Sequence, residues 1–190
     1  MSNRVLIIFA TRSGATEDTA QKIADTLTGN YGLEVNLVNL SHQSPPDFSP
    51  YGSMVIGSGI RMKKWYKEAT KFLENDFKGK NVALFVSSMY NGGNPKTYPV
   101  AVERYLEKIS SEQLNVKPFM MEAFGGRMKF LGRVTQDNRD FKKIKEWAES
   151  LGKKICTLNF QSVKIVDSRV KYDDQNLAQI DKQHILGSGF

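Results

Sequence analysis

A single cysteine, Cys156, stands in the whole sequence, so no disulfide can close within the chain and packing must carry the fold. Placed near the end of a helical pattern, Cys156 reads as an inert thiol in a reducing compartment. Histidine is almost as scarce. His42 and His184 lie far apart with no cysteine beside them, which leaves no metal-ligand set. No stretch approaches the ~20 apolar residues that cross a bilayer, and no secretory signal opens the sequence, so a cytoplasmic protein is expected. Acids are outnumbered, 20 Asp and Glu against 27 Lys and Arg, for a net charge of +7. The chain of 190 residues is most simply one domain with a sizeable core.

The most informative segment is Thr11-Arg12-Ser13-Gly14-Ala15-Thr16-Glu17, because of its flanks. Val5 to Ala10 before it form an unbroken apolar run, the pattern of a strand buried on both faces. Ala20, Ile23, Ala24 and Leu27 after it recur at helical spacing. A hydroxyl- and glycine-rich turn from buried strand into helix offers free backbone N–H groups at a positive helix end, a place for a phosphate. The hydroxyls of Thr11, Ser13 and Thr16 add donors, and Gly14 permits close approach. A well-capped helix start is the plainer alternative for the same residues. A Walker loop would need Gly-Lys-Ser/Thr, a dinucleotide fingerprint three spaced glycines, and a phosphatase loop a cysteine; none is present here.

The turn resembles the phosphate loop of the flavodoxins, Thr/Ser-x-Thr/Ser-Gly-x-Thr, which holds the phosphate of FMN. The resemblance implies FMN as cofactor and Thr11, Arg12, Ser13, Gly14, Ala15 and Thr16 as its phosphate site. Apolar runs at Val5–Ala10, Val35–Leu40, Met54–Ser58, Val82–Ser87 and Val116–Glu122 alternate with helical patterns at Glu17–Thr28, Lys64–Asn75 and Pro99–Ile109. A last helix is marked by Phe141, Ile144, Ala148 and Leu151, with Asp137 as its expected cap. Alternation of this kind predicts an α/β protein in three layers, a five-stranded parallel sheet with helices on both faces. The flavodoxin-like strand order would be 2-1-3-4-5. A receiver-type relative would place an aspartate at the end of the third strand, where this chain has Gly57-Ser58-Gly59. Residues 1–157 are expected to form the FMN-binding domain and 158–190 an extension, packed on the body or partly disordered.

Ligands in such sheets lie beyond the carboxyl ends of the strands. Ser58, Gly59, Ile60, Arg61 and Met62 follow the third strand, and Ser88, Met89, Tyr90, Asn91 and Gly92 the fourth. In flavodoxins these two loops enclose the flavin ring, so the resemblance makes all ten candidate cofactor contacts. Trp65 and Tyr66 read instead as core residues. Val55-Ile56-Gly57-Ser58-Gly59-Ile60-Arg61, Phe124-Gly125-Gly126-Arg127-Met128 and the Trp147-Ala148 helix are similar to the subgroup containing the menaquinone-dependent protoporphyrinogen dehydrogenases. That subgroup has a longer insertion where this chain has Arg127-Met128-Lys129-Phe130-Leu131-Gly132-Arg133.

Electron-carrier flavodoxins are usually acidic, and this chain is basic. Four cations fall between Arg61 and Lys67, and Arg127, Lys129 and Arg133 sit together, all without an acid among them. Such a rim suits a redox-partner protein that is acidic, a quinone or porphyrinogen, or an anionic membrane surface. Nucleic acid is disfavoured, since no recognition motif accompanies the charge. No residue announces itself as a general acid or base. The expectation is an FMN-binding redox protein with no catalytic side chain and no metal, with a protoporphyrinogen-dehydrogenase-type enzyme or a flavin-free interaction module as alternatives. A homodimer is left open.

Overall fold

Apolar residues that alternate along a buried strand must find cover on both sides, and that requirement builds this molecule. The computed structural model describes residues 3–89, 96–113 and 115–160. In strand β1 (Arg4–Ala10), Leu6, Ile8 and Ala10 enter one apolar cluster while Val5, Ile7 and Phe9 enter the other. Strands β2 (Glu34–Asn39), β3 (Ser53–Arg61), β5 (Asn81–Ser88) and β6 (Met120–Gly125) join β1 in a parallel sheet ordered β2-β1-β3-β5-β6. Counted as parallel strands alone, this is the expected 2-1-3-4-5 arrangement. The registers bring Ala10, Ser58, Ser88 and Gly125 together at the carboxyl edge.

Helix α1 (Ala15–Tyr31) lays Ala20, Ile23 and Leu27 on one face of the sheet, beside Ile144, Trp147 and Leu151 of α5, helical over residues 141–160. The opposite face is covered by α2 (Lys67–Phe72) and by a segment of three consecutive pieces, α3 (Tyr98–Val102), a π-helical turn (Glu103–Glu107) and α4 (Lys108–Glu112). Pro99 falls in the first turn of α3, where a missing N–H costs nothing. Each fully buried Leu, Ile or Phe in these layers contributes about 1.5–3 kcal/mol.

The structure corrects three expectations and adds a hairpin. Lys64 does not open a helix: strand β4 (Lys64–Trp65) folds back antiparallel on Ile60 and Arg61, and α2 begins only at Lys67 and ends at Phe72. The fifth parallel strand starts at Met120 rather than Val116, because Pro118 has no N–H for a ladder. After it comes a hairpin that the apolar pattern did not signal, β7 (Arg127–Phe130) with β8 (Arg133–Asp137). Asp137 therefore lies in a strand, and the cap of α5 is Asp140, whose Oδ1 accepts the Lys143 N–H at 3.0 Å.

Residues 161–190, most of the expected extension, lie outside the described residues, as do Tyr90, Asn91 and Gly92. Among the described residues, no helix is long and apolar enough to cross a membrane, and no three His, Cys, Asp or Glu side chains gather as a metal set.

Candidate functional site

The turn between β1 and α1 is tight because of Gly14, whose φ of +80° an L side chain rarely adopts. A Cβ there would also lie 2.7 Å from Nη2 of Arg127. Thr11 Oγ1 accepts the Gly14 N–H at 3.1 Å, and Ser41 braces the turn by donating from Oγ to the Thr11 carbonyl at 2.8 Å. The first intrahelical bond runs from the Asp18 N–H to the Gly14 carbonyl, and no side chain caps the helix start. The N–H groups of Ala15, Thr16 and Glu17 thus have no intrahelical acceptor and point out at the positive end of a long helix.

Above this turn is a hollow of about 50 Å³ lined by Thr11, Arg12, Ser13, Ala15 and Thr16 from the loop. Gly59, Ile60 and Tyr66 line it from the β3 side, and Ser87, Ser88, Met89, Gly126 and Arg127 from the β5 and β6 side. Gly126 is required by close approach: its N–H donates to the Ser88 carbonyl at 2.8 Å, and a Cβ would sit 3.0 Å from the Ser88 backbone. Ser88 is buried at 3 % exposure, and its Oγ has no hydrogen-bond partner. An orphaned hydroxyl at a hydroxyl-lined hollow fits a polar ligand.

Most of the expected site residues are brought together, but four are used differently. Ser58 is a brace: its Oγ donates to the Gly59 carbonyl and accepts the Tyr66 N–H at 3.0 Å. Arg61 and Met62 are outside the hollow, on the turn into β4, where Met62 is 87 % exposed. Arg12 reaches the hollow, but its guanidinium is anchored by Glu68 at 2.5 Å and lies 4.9 Å from the centre of the Tyr66 ring. Burial opposes ionisation of Glu68, yet its own backbone N–H and Arg12 hold its carboxyl below the ordinary range. Trp65 is a core residue as expected, with Nε1 donating to the Tyr105 carbonyl at 2.6 Å. Burial raises the pKa of the Tyr66 phenol, so at the rim it stays protonated.

Sequence reasoning had left Arg127 on the outer rim. It stands over the turn between β1 and α1, Nη2 donating to the Ser13 carbonyl at 2.9 Å and Nη1 paired with Asp18 at 3.0 Å. Arg139 joins Asp18 to Asp137, so hairpin and α1 are tied by alternating charges. The signal was present in Gly125-Gly126-Arg127: paired glycines at a strand end let the next residue turn back over the neighbouring loop. The hydrogen bond from Arg139 holds the Asp137 carboxyl below its usual range, against a small burial cost. A lowered folded pKa stabilises above the unfolded carboxylate's pKa and is lost as pH falls through the folded one. Asp137→Asn should cost at most about 1 kcal/mol at neutral pH, the pair being partly exposed. The gap should close in strongly acidic urea titrations.

A larger groove of about 1100 Å³ lies between α2 and the helical segment that carries Tyr105. It is bordered mainly by lysines and glutamates and takes no residue from the β1–α1 turn, so the chemistry points to the smaller hollow.

Known proteins share this fold. The pattern of the flavodoxin-domain family matches residues 6–146. No curated protein matches the chain. Oxidised flavodoxin 2 of Bacillus cereus is 22% identical with a TM-score of 0.56, the alignment covering 80% of this chain and 99% of that one. A flavodiiron core from Synechocystis sp. is 15% identical with a TM-score of 0.59, over 82% of this chain and 36% of its own. Rubredoxin oxygen:oxidoreductase from Desulfovibrio gigas is 15% identical with a TM-score of 0.54, over 82% and 37%. This chain therefore spans little more than a third of those two proteins. Identities this low establish a shared fold, and the match across residues 6–146 establishes the rest: the chain belongs to the flavodoxin-domain family.

Proposed function

We propose that the protein binds FMN, with the phosphate at the turn Thr11–Thr16, and works as a redox protein. The observation that carries this reading is the uncapped start of α1, roofed by the Arg127 guanidinium and facing the orphaned Ser88 hydroxyl. A phosphate ester would satisfy those donors together, and Thr11, Ser13 and Thr16 add hydroxyls. The bound flavin would supply the electron transfer, for which the chain needs no acid or base of its own. Gly59, Ile60, Tyr66, Ser88 and Met89 border the space from which the ring would extend, and Arg61, Met62, Tyr90, Asn91 and Gly92 remain expected contacts at its edge.

Its partner in this reading is a redox protein, quinone or porphyrinogen that is acidic or membrane-associated, drawn by the positive rim of Arg61, Lys63, Lys64, Lys129 and Arg133. A second reading, an oxidoreductase of the protoporphyrinogen dehydrogenase type, draws on the exposed apolar Met128, Phe130 and Leu131 between those cations, which suit an acidic porphyrinogen or a quinone. Turnover with such a substrate would favour it.

Titrating the apoprotein with FMN and with riboflavin, followed by flavin fluorescence, tests the cofactor assignment. FMN is expected to bind much more tightly than riboflavin, which lacks the phosphate. Arg127→Gln should weaken FMN by about 1.5–3 kcal/mol, tenfold or more, and leave riboflavin unchanged. If wild-type protein binds neither, the flavin reading fails and an interaction module takes its place. If Arg127→Gln leaves FMN affinity intact, the arginine is structural only.

A further inference from the structure

Two reverse turns rise from the carboxyl edge of the sheet, one on each side of the hollow, and both drive an apolar side chain into solvent. In the first, Arg61 pairs with Lys64 across a two-residue turn of Met62 and Lys63, with φ of 49° and 63°. In the second, Phe130 pairs with Arg133 across Leu131 and Gly132, with φ of 48° and 78°. Leucine and methionine are poor residues for left-handed backbone, which favours glycine and asparagine. Met62 and Leu131 are nonetheless both 87 % exposed, and Phe130 is 68 % exposed. Met128, two residues before Phe130 on β7, continues the apolar surface along that face of the hairpin.

The charges that tie the base of the hairpin to α1 leave its apolar tip, like Met62, uncovered by the described residues. β7 and β8 form a separate two-stranded sheet, a unit of marginal stability without further cover. Arg61, Lys63, Lys64, Lys129 and Arg133 flank the two tips and make no ion pair among the described residues. From residue 127 to residue 134 there is no acid at all.

We propose that the two tips form a docking surface for a lipid bilayer with anionic headgroups. Convex apolar tips enter the boundary between headgroups and acyl chains, while the flanking lysines and arginines meet lipid phosphates. A folded protein partner would need two matching concavities for Met62 and for Phe130 with Leu131. A fluid surface needs none. Docked this way, the edge of the sheet carrying the hollow faces the membrane.

Co-sedimentation of the full chain with vesicles tests the proposal and is read without flavin, so its outcome is separate from the cofactor assignment. Vesicles of phosphatidylcholine with about one third phosphatidylglycerol should bind the protein, less as salt rises, and phosphatidylcholine alone should not. Phe130→Ser with Leu131→Ser should lower partitioning by roughly tenfold or more while leaving the thermal melt unchanged. Lys129→Glu with Arg133→Glu should do the same. In Leu131→Trp, emission should shift to the blue on anionic vesicles, read against the buried Trp65 and Trp147. The proposal is overturned if wild-type protein ignores anionic vesicles, or if the serine variant binds as wild type does. It is equally overturned if the serine changes dissociate a wild-type dimer, which would assign the tips to a second copy.

Discussion

Adding one methyl group at Gly57 is expected to destabilise the protein by about 3 kcal/mol or more. Gly57 sits in the middle of β3, paired with Phe9 on one side and Phe85 on the other. A Cβ there would lie 2.1 Å from Cζ of Phe85, inside its ring. Phe85 has no room to retreat, being fully buried and packed against Phe124 with ring centres 6.1 Å apart. The sheet ladder fixes the backbone from both neighbours, so strain cannot be relaxed by moving the strand. Phe85→Leu alone should also destabilise, by leaving a cavity. Combined, the two changes should cost less than their sum, since the smaller side chain vacates the space the methyl needs. Urea titrations of the four proteins in this cycle decide the matter. Gly57→Ala within 1 kcal/mol of wild type, or strictly additive losses, would show that the contact is relieved in some other way.

Ser13→Ala with Thr16→Ala should have the largest effect on flavin binding. Thr16 is 1 % exposed and Ser13 lines the same hollow, its carbonyl held by Arg127. Hydrogen bonds to a charged group are worth about 1.5–3 kcal/mol each, so losing both should weaken FMN by roughly two to four orders of magnitude. The fold should be spared, because neither hydroxyl caps α1. Riboflavin affinity serves as the control and should not move. Unchanged FMN affinity in a double variant with a normal melt would remove the phosphate from this turn.

These expectations draw unequally on sequence and structure. The strand at Val5–Ala10, the amphipathic α1 and the turn between them were legible because local composition specifies each of them. The parallel arrangement followed from alternation, since short links between parallel strands leave few topologies. Boundaries failed where a tight turn, not the apolar pattern, decided the pairing. Lys64 and Trp65 belong to a helical pattern read alone, yet the left-handed turn at Met62 and Lys63 folds them back as antiparallel partners of Ile60 and Arg61. The β7–β8 hairpin escaped notice because its residues show no clean alternation, and a bulge at Met128 and Lys129 breaks its period.

By itself the sequence determined the sheet, its two covered faces and the tight turn from β1 into α1, because hydrophobic periodicity and turn chemistry are properties of neighbours in the chain. Only the tertiary structure decided which side chains share that turn. Arg127 is 114 positions from Ser13, whose carbonyl it holds, and the Ser58 hydroxyl braces Tyr66. Charges and hydroxyls act over a few ångströms, and which of them stand that close is set by how β3 ends beside β1, with β5 and β6 beyond it, and by where Gly126 lets the chain turn.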